Sequence, residues 1–321
     1  MATAEQIKML IQAHYEKNEE RFKTVLLQLA AYEAKKGHYS FARDIRELLE
    51  KAKTKTDKII PFNKELSDLL ITDISEKRLI ELVVSKDIKS RIERILLEFW
   101  QRDKLKKHGM LNRRKILLAG HPGTGKTLTA SVLAGETKLP LCTIVMDKVV
   151  TKYLGETSVK LRQIFDFINE NQAVYLFDEF DTIGSERSLD NDVGEMRRIL
   201  NSFLQFIEQD NSESIIVAAT NNPKLLDHAL FRRFDDVIYY KLPDKDQIQR
   251  LIKNKIGKYR PSNFSLNKIV ENATQLSHAD ISKACNDAVK EAILLDLEYI
   301  SEELLLRMIS ERIEAYKRGE S

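Results

Sequence analysis

Only two cysteines, Cys142 and Cys285, occur in 321 residues. Two thiols cannot by themselves build a disulfide framework or a zinc site. Each is expected as a small buried apolar residue rather than a reactive nucleophile. No apolar run approaches the 18 or so residues of a membrane-spanning helix. Met1 to Leu10 alternates polar and apolar residues and has no apolar block of the signal-peptide kind, so a cytoplasmic protein is expected. Neither sign of charge dominates: 52 Lys and Arg stand against 49 Asp and Glu, a net charge of +3. That balance neither predicts nor excludes nucleic acid or a membrane surface as partner. Internal repeats and low-complexity segments are lacking. What the chain does have is 43% hydrophobic and 31% charged residues, enough for a sizeable core and too apolar for a disordered chain. The length suits one large domain or two to three small ones.

Residues 1 to about 50 read as helices. Ile7, Leu10, Ile11 and His14 share one helical face, as do Phe22, Val25, Leu26 and Leu29. Gly37 can stop the second helix. Ser40 can cap a third, with Phe41, Ile45, Leu48 and Leu49 inward. Lys51 to Lys58 is polar and basic and reads as a linker or a solvated helix end. From about residue 75 short apolar runs alternate with helical patterns. Lys115 to Ala119, Leu141 to Val145, Ala173 to Phe177, Ile215 to Ala219 and Val237 to Tyr240 are candidate strands. Continuous apolar runs suit a parallel sheet buried on both faces, and the alternation with helices means an α/β fold. After Pro243 four helical stretches follow, broken at Arg260-Pro-Ser-Asn263. Ser277-His-Ala-Asp280 has capping-box spacing, and Ser301 followed by two glutamates starts the last helix. The expected division is a helical partner-docking domain over 1–60, an α/β domain over 61–242 and a helical domain over 243–321.

Gly120-His-Pro-Gly-Thr-Gly-Lys126-Thr127 follows a predicted strand and opens a predicted helix. That is the context of a P-loop, whose glycines let backbone N–H groups wrap a phosphate chain at a helix N-terminus. Lys126 would reach the β- and γ-phosphates and the Thr127 hydroxyl would ligate Mg²⁺. Val174-Tyr-Leu-Phe-Asp178-Glu179 delivers two carboxylates at the C-terminal end of a buried strand, where ligands bind in open α/β sheets. Asp178 would hold Mg²⁺, and Glu179 would act as general base on the attacking water. Asp181 reads as structural. Asn221 ends another strand; it could hold the water or the γ-phosphate, or be the turn residue before Pro223.

In this order the P-loop, Asp178-Glu179-Phe-Asp181, Ala218-Ala-Thr-Asn221-Asn-Pro223, Leu226-Asp227-His-Ala229-Leu230 and Arg232-Arg233-Phe234-Asp235 resemble an AAA+ ATPase of the AAA clade. The resemblance covers about residues 75–320. It implies a P-loop NTPase sheet of five parallel strands, a helical lid, and a homo-oligomeric ring, usually of six, with ATP between subunits. It implies ATP and Mg²⁺ at Gly120, His121, Pro122, Gly123, Thr124, Gly125, Lys126, Thr127 and Leu128. Asn221 becomes the sensor of the γ-phosphate, and Arg232 and Arg233 match arginine fingers that reach a neighbour's nucleotide. His278 and Ala279 fall near adenine and ribose. His121 stands where the family usually has proline, the two arginines are contiguous rather than spaced, and His278 replaces the usual glycine.

Lys152-Tyr153-Leu154-Gly155 resembles the pore loop of katanin, spastin and related remodellers, so Tyr153 and Leu154 are expected to touch a protein substrate. Tyr153 could instead anchor the loop to the core. Residues 184–194 are polar and would form a second pore loop. The front helices loosely resemble the microtubule-interacting and trafficking domain, and also the front segments of stand-alone bacterial AAA proteins encoded beside subtilisin-like proteases. A separate protease or adaptor docked on residues 1–50 is thereby suggested. The expected activity is ATP hydrolysis that drives polypeptide through a ring pore. Two alternatives stand beside it: a nucleic-acid remodeller or helicase loader, against which the near-neutral charge and Tyr153-Leu154-Gly155 count, and an ATP-gated assembly switch.

Overall fold

A computed structural model describes residues 4–15, 19–45, 47, 66, 68–150, 154–180, 193–223, 231–261 and 263–319. The chain divides into two compact units, Met1–Pro61 and Phe62–Ser321. In the first, α1 (Ala4–Tyr15) and α2 (Glu19–Lys35) pair, and residues 39–45 are helical. Gly37, at φ +87°, ends α2 as expected. Val25, Leu29, Ala30, Ala42 and Ile45 are buried, whereas Ile11 and Phe41 are exposed. The inward faces are therefore finished partly by alanine, which lets helices approach closely, and not by every large apolar residue. Ser40 lies inside its helix rather than at the cap. His38 closes the α2 end with Nδ1 2.6 Å from Glu33 Oε2. Residues 51–58, Leu48 and Leu49 lie outside the described residues.

The second unit is built on a sheet of six strands among the described residues: β1 (Leu70–Asp73), β2 (Lys115–Gly120), β3 (Leu141–Ile144), β4 (Val174–Phe177), β5 (Ile215–Thr220) and β6 (Asp236–Tyr240). Their order is β1-β3-β4-β5-β2-β6. The five parallel strands are those of the apolar runs, within a residue at each end. The sixth, β1, adds antiparallel to β3, with Leu70 opposite Ile144 and Asp73 opposite Leu141. Expectation stopped at five because β1 is an edge strand: Leu70 is buried, Ile71 is exposed, and so short a half-buried segment has no continuous apolar signature.

Helices cover both faces. α3 (Lys86–Trp100) starts at Ser85, whose Oγ accepts the Ile88 amide, and buries Ile88, Ile92, Ile95, Leu96 and Phe99 at helical spacing. Short α4 (Arg102–Lys107) follows, then α5 (Lys126–Thr137), α6 (Met146–Val149), α7 (Leu154–Glu170) and α8 (Val193–Gln209). Beyond the sheet lie α9 (Lys245–Ile256), α10 (Asn267–Asn272), α11 (His278–Leu294) and α12 (Glu302–Gly319), packed around their own apolar cluster. Asp244 and Gln247 cap α9 reciprocally, Ser277 and Asp280 cap α11 in the same way, and Ser301 Oγ accepts the Leu304 amide. No helix among the described residues is long and apolar enough to cross a membrane. Both cysteines are free and buried. Burial pushes the thiol of Cys142 up to about 11 and that of Cys285 up to about 12, so both stay protonated at neutral pH.

Candidate active site

The loop between β2 and α5 is shaped by three glycines with left-handed or otherwise positive φ: Gly120 (+145°), Gly123 (+72°) and Gly125 (+102°). A Cβ at Gly120 would strike the Tyr240 carbonyl of the neighbouring strand, and one at Gly123 would strike Ser277 Oγ. Left-handed glycines alternating with ordinary residues give the backbone of an anion nest. Gly125 caps α5 without any side-chain hydrogen bond to the first-turn amides. Those amides carry the positive end of the helix dipole, which favours a phosphate.

Lys126 is 6% exposed. Its ammonium donates to the carbonyls of Gly120 and His121, both at 2.8 Å, which holds the charge against the loop. Thr124 Oγ1 donates to the His121 carbonyl at 2.7 Å. Thr127 Oγ1 donates to Asp178 Oδ2 at 2.6 Å, so a hydroxyl on α5 and a carboxylate on the end of β4 meet directly. Two hard oxygen donors side by side are a fitting start for Mg²⁺, whose other ligands come from phosphate and water.

The Asp178-Glu179 pair is held by its apolar flanks. Phe177 and Phe180 are fully buried and pack on Phe203 of α8, with ring centroids 5.1 and 4.4 Å apart. Each such burial contributes roughly 1.5–3 kcal/mol. The Phe180 amide also donates to the Ala219 carbonyl of β5 at 2.9 Å. Between these anchors Glu179 adopts φ +50°, rare for a side chain larger than glycine, and its amide donates to Asp178 Oδ1 at 2.9 Å. Sparse backbone regions of this kind cost about 1–3 kcal/mol and persist where neighbours over-determine them.

The helices that follow the sheet close the other side. The Ala279 amide, at the start of α11, donates to the Gly123 carbonyl at 2.9 Å. A cleft of about 400 Å³ results, lined by the loop from Pro122 to Leu128, Asp178, Glu179, Asn221, His278 and Ala279. Gly120 and His121 contribute the carbonyls that hold Lys126. The cleft walls also include Leu82, Val83, Leu251, Lys255 and Ser282, which the sequence reading missed. They belong to no recognisable motif; only the fold brings the segment before α3 and one face of α9 to the P-loop. His278 is held below its usual pKa by burial, which the Val83 backbone and Asp244 only partly offset.

Arg232 and Arg233 are not in this cleft. They lie in the turn before β6, at the N-terminal edge of the sheet. Register pairs Gly120 with Tyr240 and Ile116 with Asp236, so about 13 Å of strand separates the two edges. Arg232 is exposed; Arg233 is half-buried, its Nε 2.9 Å from Glu208 Oε1 on α8. Asp181, Tyr153, residues 184–192 and Leu226 to Leu230 lie outside the described residues. Leu154 is the first residue of α7, and nothing is described of its side chain.

Sheet order, cleft and helical cover define a P-loop nucleoside triphosphatase fold with a helical lid. Residues 116–242 match the family model described as ATPase family associated with various cellular activities, or AAA. An uncharacterized AAA family ATPase of Sinorhizobium fredii is 33% identical, over 92% of this chain and 90% of its own length. A proteasome-activating nucleotidase of Methanococcus maripaludis is 32% identical over 67% of this chain and 54% of its own length. Among solved structures, the FIGL-1 AAA domain superposes with a TM-score of 0.62 at 22% identity, covering 80% of this chain and 95% of that one. The chain belongs to the AAA family of ATPases.

Proposed function

We propose that this protein hydrolyses ATP in a ring of identical copies and uses the cycle to remodel protein substrates. The observation that carries the reading is the separation of the two charged ends of the sheet. An arginine side chain cannot span about 13 Å of strand and reach its own P-loop. Arg232 and Arg233 therefore serve as fingers only for the nucleotide of an adjoining copy, and each site is complete only when copies meet.

Within that site Lys126 holds the β- and γ-phosphates, and Pro122 to Leu128 surround them. His278 and Ala279 face the nucleoside end, and Asn221 orients the attacking water. Glu179 takes a proton from that water, a role worth roughly 10²- to 10⁴-fold in rate. Mg²⁺ held by Thr127 and Asp178 would neutralise charge on the phosphates. Tyr153 and Leu154 are assigned to the substrate on the strength of the Tyr-Leu-Gly sequence. The likeness to a proteasome-activating nucleotidase supports protein as the substrate and leaves room for a separate protease or adaptor docked on residues 1–50.

The test is Glu179→Gln beside the native chain. It should retain ATP and assemble while turnover falls by roughly 10²-fold or more. Native ATPase should rise with an unfolded polypeptide and not with single-stranded DNA. Stimulation by DNA alone would favour nucleic-acid remodelling; near-native turnover by Glu179→Gln would remove the assigned base.

A further inference from the structure

His278 opens α11 and lines the cleft. Among the described residues of that lining, it alone has buried side-chain polar atoms without a hydrogen-bond partner, and both ring nitrogens are in that state. Such atoms are rare in a folded protein and point to a partner that the chain itself does not supply.

The backbone around the ring is held from three sides. At the start of α11 the Ala279 amide donates to the Gly123 carbonyl at 2.9 Å, and Ser282 Oγ donates to the carbonyl of His278 itself at 2.7 Å. Val83, on the facing wall, follows a segment pinned to the end of α5. There the Leu79 amide donates to Glu136 Oε1 at 2.9 Å, Arg78 donates to the Gly135 carbonyl at 3.2 Å, and a Cβ at Gly135 would strike the Lys77 carbonyl. Asp244 is fixed as the cap of α9. Burial keeps the imidazole neutral against the pull of the Val83 backbone and the Asp244 charge. A neutral imidazole has one N–H and one bare acceptor nitrogen. Val83 favours a proton on the ring, as a carbonyl acceptor does, so the N–H belongs on that side. The bare nitrogen is left for the cleft.

We propose that His278 is a specificity-determining residue: its bare ring nitrogen accepts a hydrogen bond from a donor on the nucleoside. This rests on the ATP reading above and deepens it. An adenine nucleoside offers two kinds of donor, the 6-amino group and the ribose hydroxyls. The apolar wall of Leu82, Val83 and Leu251 reads shape and discriminates weakly between such groups and their replacements. A buried acceptor discriminates strongly, because a ligand without the matching donor leaves it unpaired. A glycine, the usual residue of the family at this place, offers no such atom.

The experiment uses the full chain and calorimetric titration with ADP, IDP, 2′-deoxyADP and 3′-deoxyADP. IDP carries a carbonyl in place of the 6-amino group, and each deoxy form lacks one hydroxyl. The native chain should bind ADP about fivefold more tightly than the analogue that lacks the donor. His278→Leu should bring the two to within about twofold, mainly by weakening ADP. His278→Gln, whose amide can donate to the Val83 carbonyl and still accept, should keep the preference. A preference over IDP that His278→Leu abolishes identifies the amino group as the donor; one over a deoxy form identifies that hydroxyl. Should His278→Leu fail to fold, His278→Gly makes the same comparison. If the native chain has no preference, or the substituted chain keeps every native one, His278 reads nothing and the proposal is overturned while the ATP reading stands. If ADP itself does not bind the native chain, the ATP reading fails and the proposal with it.

Discussion

At the C-terminal edge of the sheet, β2, β4 and β5 end in a glycine loop, a carboxylate pair and Asn221. At the N-terminal edge, the start of β2 is gripped by Asp210, Asp235 and the Ile207 carbonyl. The first edge is made of backbone turns and short polar contacts around an open cleft. The second is made of long charged side chains folded back onto their own chain. Lys115 shows the cost: burial first, and then the neighbouring Arg114 charge, lower its pKa below the usual lysine value. One edge is shaped to receive a ligand, and the other spends its charges on stiffness and leaves Arg232 pointing outward. Substitutions at the two edges should therefore fail differently.

The largest effect is expected at the ligand edge. Lys126→Ala removes the ammonium assigned to the β- and γ-phosphates, two charge-assisted contacts worth about 1.5–3 kcal/mol each, so ATP affinity should fall by roughly 10²-fold or more. Titration with a fluorescent ATP analogue measures this; unchanged affinity would mean that the cleft is not where the phosphates sit. At the other edge, Arg114→Met strands the fully buried Asp210 carboxylate. Removing one partner of a buried pair costs about 3–5 kcal/mol. The denaturant midpoint should drop accordingly, with analogue affinity close to native in the folded fraction. If stability held and affinity fell, the two edges would not be separable.

A smaller change sharpens the ligand edge. Gly123→Ala forces a side chain into φ +72° and against Ser277 Oγ. Left-handed backbone costs an L-residue about 1–2 kcal/mol, and the collision pushes the α11 terminus away from the loop. Analogue affinity should fall about tenfold, and amides at the start of α11 should exchange faster with solvent. A silent substitution would show that the lid does not rest on the P-loop.

The parallel strands were legible because each is a short apolar run buried on both faces, and the caps at Ser277 and Ser301 because a hydroxyl with nearby acids has one common local use. β1 was not, since Leu70-Ile-Thr-Asp73 is ordinary until it is seen lying beside β3. Helix α3 carries a readable signal, Ser85 followed by apolar residues at helical spacing. The motif residues of the cleft could be named because phosphate chemistry restricts their spacing. Val83 and Lys255 could not, because a cleft wall needs only shape and proximity, and those come from tertiary packing. The different surroundings of Arg232 and Arg233 depend on Glu208, 25 residues away in the chain, and no spacing rule links them.

The smallest expected effect concerns His278, where a ring stands in place of the usual glycine at the start of α11. Its ring nitrogens are buried and reach no partner at hydrogen-bond geometry. Burial lowers its pKa from the ordinary 6.5, and the Val83 backbone and the Asp244 charge push the other way without overcoming it. The folded protein therefore prefers the neutral ring, while the unfolded chain takes up a proton more readily. A group of this kind contributes stability above its unfolded pKa, and that contribution is lost as pH falls from about 6.5 toward the lower folded value. The native melting temperature should accordingly decline on going from pH 7.5 to 5.5. His278→Gln, which keeps a polar side chain but cannot be protonated, should show a shallower decline. The chain holds five other histidines, so the quantity to read is the difference between the native and His278→Gln slopes. ATP analogue binding should follow the same course, because His278 lines the cleft and a charged ring would draw the start of α11 toward water. A difference slope of zero would show that the ring is solvated, and a steeper decline in His278→Gln would reverse the assigned direction of the shift.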